Sequence, residues 1–242
     1  MMATSKIAVL YGPGTNCHEE TKFAIEYSGG EAEIISVQAL LDGERKLCDY
    51  SGMVIPGGAA WGNHIAPDRI FAIHIIAKLK EDIEFFIERG KPILGISNGN
   101  QVLMEAGILP FTKVGEGTAA IIQNKSARFE SRWTRLIVGE ESPFSRGLSG
   151  KILRLPIAYA DGRVYSNNKP LRAAFYYVDE KGNPSEVYPH NPAASPRGIA
   201  GVINSTGRIL GMMPHPERAI LQSHGSTDGK VIFKNLVELC KS

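Results

Sequence analysis

Short apolar runs that end in glycine and give way to a helical stretch recur through residues 7–107, and this pattern leaves few folds open. Residues 7–11 run into Gly12-Pro13-Gly14-Thr15-Asn16, and a helical stretch from about His18 to Ser28 closes at Gly29-Gly30. A second apolar run covers 32–37, and a third, 52–56, ends in Gly57-Gly58. Pro67-Asp68 then opens a long helix in which Ile76, Leu79, Ile83, Phe86 and Ile87 keep helical spacing as far as Gly90. Lys91-Pro92-Ile93-Leu94 is a fourth strand, followed by Gly95-Ile96-Ser97-Asn98-Gly99 and a helix over 100–106 that stops at Gly107. Repeated strand–helix units require a parallel sheet covered by helices. Ligands of such sheets bind at the carboxyl ends of the strands. Gly12-Pro13-Gly14, Gly57-Gly58 and Ser97 all fall at such ends.

The later chain reads differently. Residues 119–123, 134–138, 151–156 and 171–178 are β-rich with polar breaks. Residues 199–203 and 209–213 flank Asn204-Ser205-Thr206-Gly207 as a hairpin, and 230–239 form a closing helix. There is no repeat and no low-complexity tract. The expected fold is α/β: one domain over 1–242, with a mostly parallel central sheet, flanking helices and a β-rich insertion. At 242 residues and 43% hydrophobic content, the chain is long enough for one large core. A net charge of +2 without a Lys/Arg run points away from nucleic acid. The first apolar run is too short for a signal segment or a membrane span, so a cytoplasmic protein is expected. Cys17, Cys48 and Cys240 are far apart and odd in number, which predicts neither a disulfide framework nor a zinc site. No histidine pair has metal-ligand spacing, so no metal site is expected.

Gly-x-Ser-x-Gly between a buried strand and a helix is the pattern of a nucleophile elbow, a tight turn that lifts a small side chain into a pocket. A serine hydroxyl barely ionises at neutral pH and needs a histidine base oriented by a carboxylate. His215 and Glu217 supply that pair, two residues apart after a strand and stiffened by Pro214 and Pro216. Gly57-Gly58 would present bare backbone N–H groups. With the N–H of Asn98 these make an oxyanion hole. In chain order, these features predict an acyl-transfer pocket with Ser97, His215 and Glu217 as its catalytic residues.

The same residues resemble the class I, or triad, glutamine amidotransferases. More closely they resemble the glutaminase subunits of phosphoribosylformylglycinamidine synthase, of purine biosynthesis. The resemblance runs over residues 6–239. It is carried by Pro13-Gly14-Thr15-Asn16-Cys17, Pro56-Gly57-Gly58, the segment around Ser97, Leu103-Met104-Glu105-Ala106-Gly107, Arg128 to Trp133, and Gly211-Met212-Met213-Pro214-His215-Pro216-Glu217-Arg218. It implies a flavodoxin-like class I glutamine amidotransferase fold and hydrolysis of glutamine to supply ammonia. In that chemistry the elbow residue attacks the side-chain amide, His215 carries the proton to the leaving ammonia, and Glu217 orients it. The oxyanion and glutamine contacts would be Gly57, Gly58, Asn98 and Gln101. The resemblance further implies a large synthetase subunit, which uses ATP and magnesium, and a small bridging subunit. This chain itself would need no cofactor.

The sequence departs from that family at the reacting atom. The family's nucleophile is a cysteine, and Ser97 stands in its place. A second family cysteine, in a Phe-x-Cys-Arg-Trp segment, is Ser131 here. A cysteine near histidine and a helix N-terminus ionises at neutral pH, and a serine does not. The chain as written is therefore expected to be inactive or impaired as a glutaminase. Two other readings follow from the same residues: a serine hydrolase or peptidase using Ser97, His215 and Glu217, and a non-catalytic pseudo-glutaminase that regulates a synthetase. An ordinary α/β-hydrolase is disfavoured, because there the acid precedes the histidine. Gly57 to Asn63 and Tyr159-Ala160-Asp161-Gly162 also differ from the family's usual segments, at the pocket border. Cys17 lies outside the triad on this reading.

Overall fold

The fold is that of a computed structural model, which describes residues 6–60, 67–167 and 170–241. Trp61-Gly62-Asn63, read from the sequence as bordering the pocket, lie outside the described residues, as do Met1 to Ser5 and His64. The first half alternates as the pattern predicts: β1 (Lys6–Tyr11), α1 (His18–Tyr27), β2 (Glu31–Ser36), α2 (Val37–Leu41), β3 (Gly52–Ile55), α3 (Pro67–Lys78), α4 (Lys80–Glu88), β4 (Ile93–Ile96) and α5 (Asn98–Glu105). The second half is mainly β: β5 (Ala119–Gln123), β6 (Glu130–Val138), β7 (Leu153–Tyr159), β8 (Asp161–Ser166), β9 (Arg172–Tyr177), β10 (Ile199–Ile203), β11 (Ile209–Met212), closed by α6 (Gly229–Leu239).

Among the described residues, nine strands form one sheet in the order β2-β1-β3-β4-β11-β10-β9-β6-β7. The first five are parallel, and β10, β9, β6 and β7 continue the sheet antiparallel. Most of the β-rich stretch expected as an insertion therefore extends the central sheet. Only β5 and β8 stand apart, as a two-stranded antiparallel pair. The inner parallel strands are buried on both faces: β3 and β4 are fully buried along their length, and Ile7 to Leu10 of β1 are also buried. Helices cover them through apolar stripes, with Ile83 and Phe86 of α4 and Ile232, Phe233 and Leu236 of α6 buried. Each such side chain contributes roughly 1.5–3 kcal/mol.

Three local expectations are corrected. The long helix from Pro67 is two helices, broken at Leu79, whose backbone (φ −113°, ψ 9°) is not helical. Leu79 is buried, so the apolar spacing runs unbroken across the break and hides it. β6 begins at Glu130 rather than Thr134, because Glu130 is a buried carboxylate paired with Arg132. β8 was not foreseen, since Asp161, Arg163 and Ser166 make it look like loop, although Gly162 and Val164 face inward. Among the described residues, no helix is long and apolar enough to cross a membrane.

Candidate active site

The central strands β3, β4 and β11 are neighbours, and their carboxyl ends converge. Ile55 of β3 lies opposite Gly95, and Ile96 of β4 lies opposite Met212 of β11. Whatever follows these ends meets at one place: Gly57-Gly58, Ser97, and the segment from Met213 to Arg218.

Ser97 caps α5 with φ 52° and ψ −109°, a backbone conformation that a residue with a side chain adopts only under strain. Its N–H donates to Met212 O at 2.7 Å, which fastens the elbow to β11. The turn is so tight that a Cβ on Gly99 would lie 1.9 Å from Ile55 O. Asn98 heads α5, so its N–H has no partner within the helix and points from the positive end of the dipole. The Asn98 side chain donates to Gln101 Oε1 at 3.0 Å, and Gln101 Nε2 donates to Asp161 O at 3.1 Å. Gln101 thus ties the elbow helix to the start of β8.

Gly57 and Gly58 serve different needs. A Cβ on Gly57 would meet His215 Cε1 at 2.7 Å, so only glycine lets the imidazole come this close to the end of β3. Gly58 has φ 139°, and a Cβ there would meet Asn16 N at 2.7 Å. It pairs with Thr15 in an isolated bridge, in which Ala59 N–H donates to Gly14 O at 3.1 Å and Cys17 N–H to Gly57 O at 3.3 Å. The Gly58 N–H is left outside that ladder.

His215 is buried, and its Nδ1 lies 2.5 Å from Glu217 Oε1. Glu217 sits in the 3-10 turn Pro216–Arg218, which folds the acid back under its own histidine. The His215 N–H donates to Pro156 O at 2.8 Å, so the antiparallel strand β7 also grips the base. A Cβ on Gly229 would lie 1.9 Å from Pro216 O, which shows how tightly α6 presses on this turn. Among the described residues, neither His215 Nε2 nor Glu217 Oε2 has a hydrogen-bond partner. The expected base and acid are therefore bonded to each other, while the expected nucleophile, brought to the same strand ends, is not bonded to the base.

Cys17 and Arg218 join the site unforeseen. Cys17 Sγ lies 4.0 Å from His215 Nδ1, and Arg218 Nη2 donates to that sulfur at 3.2 Å. Arg218 also pairs with Glu20 of α1 at 3.7 Å. Burial, and next the charge of Glu217, push the Cys17 thiol up to about 12, with Arg218 pulling the other way. It is a protonated thiol at neutral pH. Sequence reading placed Cys17 outside the triad and expected no Cys/His cluster. The fold assembles one from residues 198 apart, because β1 neighbours β3. The available signal was the position of Cys17 after a glycine-rich strand end, like Ser97 and Gly57. Ser131 lies exposed on β6 opposite Ala158.

The arrangement suits acyl transfer, with a seat for a nucleophile, a buried base–acid pair and backbone donors at two strand ends. The CobB/CobQ-like glutamine amidotransferase domain family matches residues 4–238. The phosphoribosylformylglycinamidine synthase subunit PurQ of Pyrococcus horikoshii is 43% identical over 239 residues, covering 98% of this chain and 99% of its own. The protein of the same name from Dehalococcoides mccartyi is 36% identical over 255 residues, covering 98% of each. A solved structure of PurLQS from Thermotoga maritima contains a chain that superposes with a TM-score of 0.80 at 32% identity, covering 97% of this chain and 98% of its own.

Proposed function

The chain belongs to the CobB/CobQ-like glutamine amidotransferase family, alongside the PurQ subunits, and from that premise we propose that it is the glutaminase subunit of a phosphoribosylformylglycinamidine synthase. It hydrolyses glutamine and passes the ammonia to an ATP-dependent synthetase subunit. The observation that supports the catalytic assignment is the His215–Glu217 pair, buried at 2.5 Å beside the elbow that carries residue 97.

In the proposed reaction the Ser97 oxygen attacks the side-chain amide carbon of glutamine. Its proton passes to His215 Nε2, the ring atom with no partner in the structure. His215 returns that proton to the departing nitrogen, ammonia leaves, and water then hydrolyses the glutamyl ester by the same route. Glu217 holds the imidazole in the tautomer with Nδ1 protonated. The N–H groups of Gly58 and Asn98 meet the oxyanion. Gly57 admits His215, and Gln101 shapes the wall of the glutamine pocket. A hydroxyl is a far poorer nucleophile here than a thiolate, so turnover with Ser97 is impaired.

In this reading residues 1–242 act as one domain, because a single sheet carries both the elbow and the strands that grip His215. The chain works in the cytoplasm with a large synthetase and a small bridging subunit, as the Thermotoga assembly suggests by its name. It needs no cofactor of its own, and ATP and magnesium are used by the large subunit. One observation favours a second reading, a serine hydrolase or peptidase: the strained elbow already carries a hydroxyl.

The deciding experiment measures glutamate release from glutamine by the assembled complex, with this chain and with Ser97→Cys. The expected result is weak hydrolysis that rises sharply with the thiol. Ester or dipeptide cleavage by the serine form, with glutamine untouched in both, would replace this reading with the second. No hydrolysis by either form would leave a non-catalytic regulatory subunit.

A further inference from the structure

Cys17, His215 and Glu217 each place a ligand atom within 4.8 Å of the other two, and all three are buried. The triad chemistry uses neither the sulfur nor the second carboxylate oxygen. We propose that these residues form a binding site for a thiophilic divalent metal ion of the zinc type, and that its occupancy switches the hydrolytic site off.

The donor set is one thiol, one imidazole nitrogen and one carboxylate, which together suit zinc with a fourth position left for water. Zinc–sulfur and zinc–nitrogen bonds of about 2.3 and 2.1 Å at a tetrahedral angle separate the two ligand atoms by about 3.6 Å. Cys17 Sγ and His215 Nδ1 stand 4.0 Å apart, so a shift of a few tenths of an ångström brings this pair into range, while Nδ1 and Glu217 Oε1, now 2.5 Å apart, separate by about 1 Å to admit the ion. Gly57 borders the same gap and carries no Cβ to fill it. A Cβ there would fall 3.3 Å from Nδ1 and 3.4 Å from Sγ. Glu217 Oε2 is buried without a partner among the described residues, which leaves a carboxylate oxygen available to the ion. Arg218 donates to the sulfur at 3.2 Å, the kind of outer contact that supports a bound thiolate, and its own charge is met by Glu20.

Binding breaks the Cys17 S–H bond, forms a metal–sulfur bond and releases that proton to solvent. No electron is transferred. The metal takes the Nδ1 lone pair, so the single proton of the neutral imidazole moves to Nε2. An imidazole protonated at Nε2 cannot accept the proton of residue 97, and hydrolysis stops. Only this consequence rests on the proposed function, since the binding itself is argued from the ligand geometry.

The test titrates the full-length chain with Co²⁺ and follows the near-ultraviolet thiolate-to-cobalt band and the visible bands of tetrahedral cobalt. The expected result is saturation at one ion per chain, displacement by Zn²⁺, and an affinity that rises about tenfold per pH unit because one proton leaves. The signal should persist in Cys48→Ser and Cys240→Ser and vanish in Cys17→Ser and His215→Ala. Absence of the thiolate band in the unsubstituted chain would overturn the proposal whatever the variants do. Its survival in a folded Cys17→Ser, or its loss in Cys48→Ser, would overturn it as well. A second arm adds Zn²⁺ to the assembled complex during glutamine hydrolysis. Binding without inhibition would refute the switch alone, whereas a chain that never hydrolyses glutamine would refute the functional reading and leave the cobalt result intact.

Discussion

The two sides of His215 are built differently. On the Nδ1 side, Glu217 sits at 2.5 Å, Cys17 at 4.0 Å, and Arg218 bonds the sulfur and pairs with α1. These contacts form one bonded unit held by a 3-10 turn, β7 and α6. Among the described residues His215 Nε2 has no partner, and Ser97 stands at the neighbouring strand end, after β4, with no hydrogen bond to the imidazole. On the proposed function, the support of the base is thus a packed structure, whereas base and nucleophile come from two separate loops. Such a site can change its reacting atom without disturbing the machinery behind it. On the proposed function, Ser97 fills the nucleophile's seat with that backing complete.

Ser97→Cys tests that contrast most directly. If the Nδ1 side is intact, Ser97→Cys should raise glutamine hydrolysis in the assembled complex sharply, because an ionisable thiol replaces a hydroxyl that barely ionises. His215→Ala in the Ser97→Cys chain should return the rate to the serine level. A gain that survives His215→Ala would mean that the buried pair is scaffold rather than catalyst. Glu217→Gln in the same chain comes next. It keeps the shape but presents the wrong group to Nδ1, and the expected loss is about tenfold to a hundredfold in kcat with KM little changed. An equal effect on KM alone would assign Glu217 to substrate binding.

The contrast also explains what the sequence could reveal. Ser97 and the His215–Glu217 pair are short-range patterns: an elbow flanked by glycines, and two residues on one stiff segment. Gly57-Gly58 could be placed at a strand end, but its reason could not. The clash of a Gly57 Cβ with His215 exists only once β3 and β11 are set on either side of β4. Cys17 and Arg218 meet across 201 residues, and no local spacing encodes such a contact. In the fold, continuous apolar runs revealed the inner parallel strands, because these are buried on both faces. β8 escaped because its inward positions are only Gly162 and Val164. The break at Leu79 escaped because a buried leucine there satisfies the helical period whether or not the helix continues.

The strain at residue 97 belongs to the nucleophile side alone. With φ 52° and ψ −109°, Ser97 occupies a region open mainly to glycine. Ser97→Gly should therefore stabilise the chain by about 1 kcal/mol, the relieved strain less the backbone entropy of glycine. Denaturant midpoints at an unchanged m-value would measure it. A destabilised Ser97→Gly would show that the elbow is held without strain, and the two sides of His215 would then differ only in their hydrogen bonds.

The smallest effect lies on the opposite side. Burial raises the Cys17 thiol to about 12 from the ordinary thiol value of 9.0. The folded chain then holds a proton that the unfolded chain has lost once pH exceeds the unfolded value. Stability from this group is complete below about pH 9, declines as pH rises, and is gone above about pH 12. Cys240 is raised to about 12 by burial as well and adds to the same decline. Cys17→Ser should remove only the Cys17 share, about 1 kcal/mol by pH 10, and leave the stability below pH 8 with a flat dependence on pH. The comparison is made between the two pH profiles, so any constant cost of the substitution cancels. Identical slopes between pH 9 and 11 would mean that the sulfur is already open to solvent. The packed Nδ1 side would then be as loosely held as the Nε2 side.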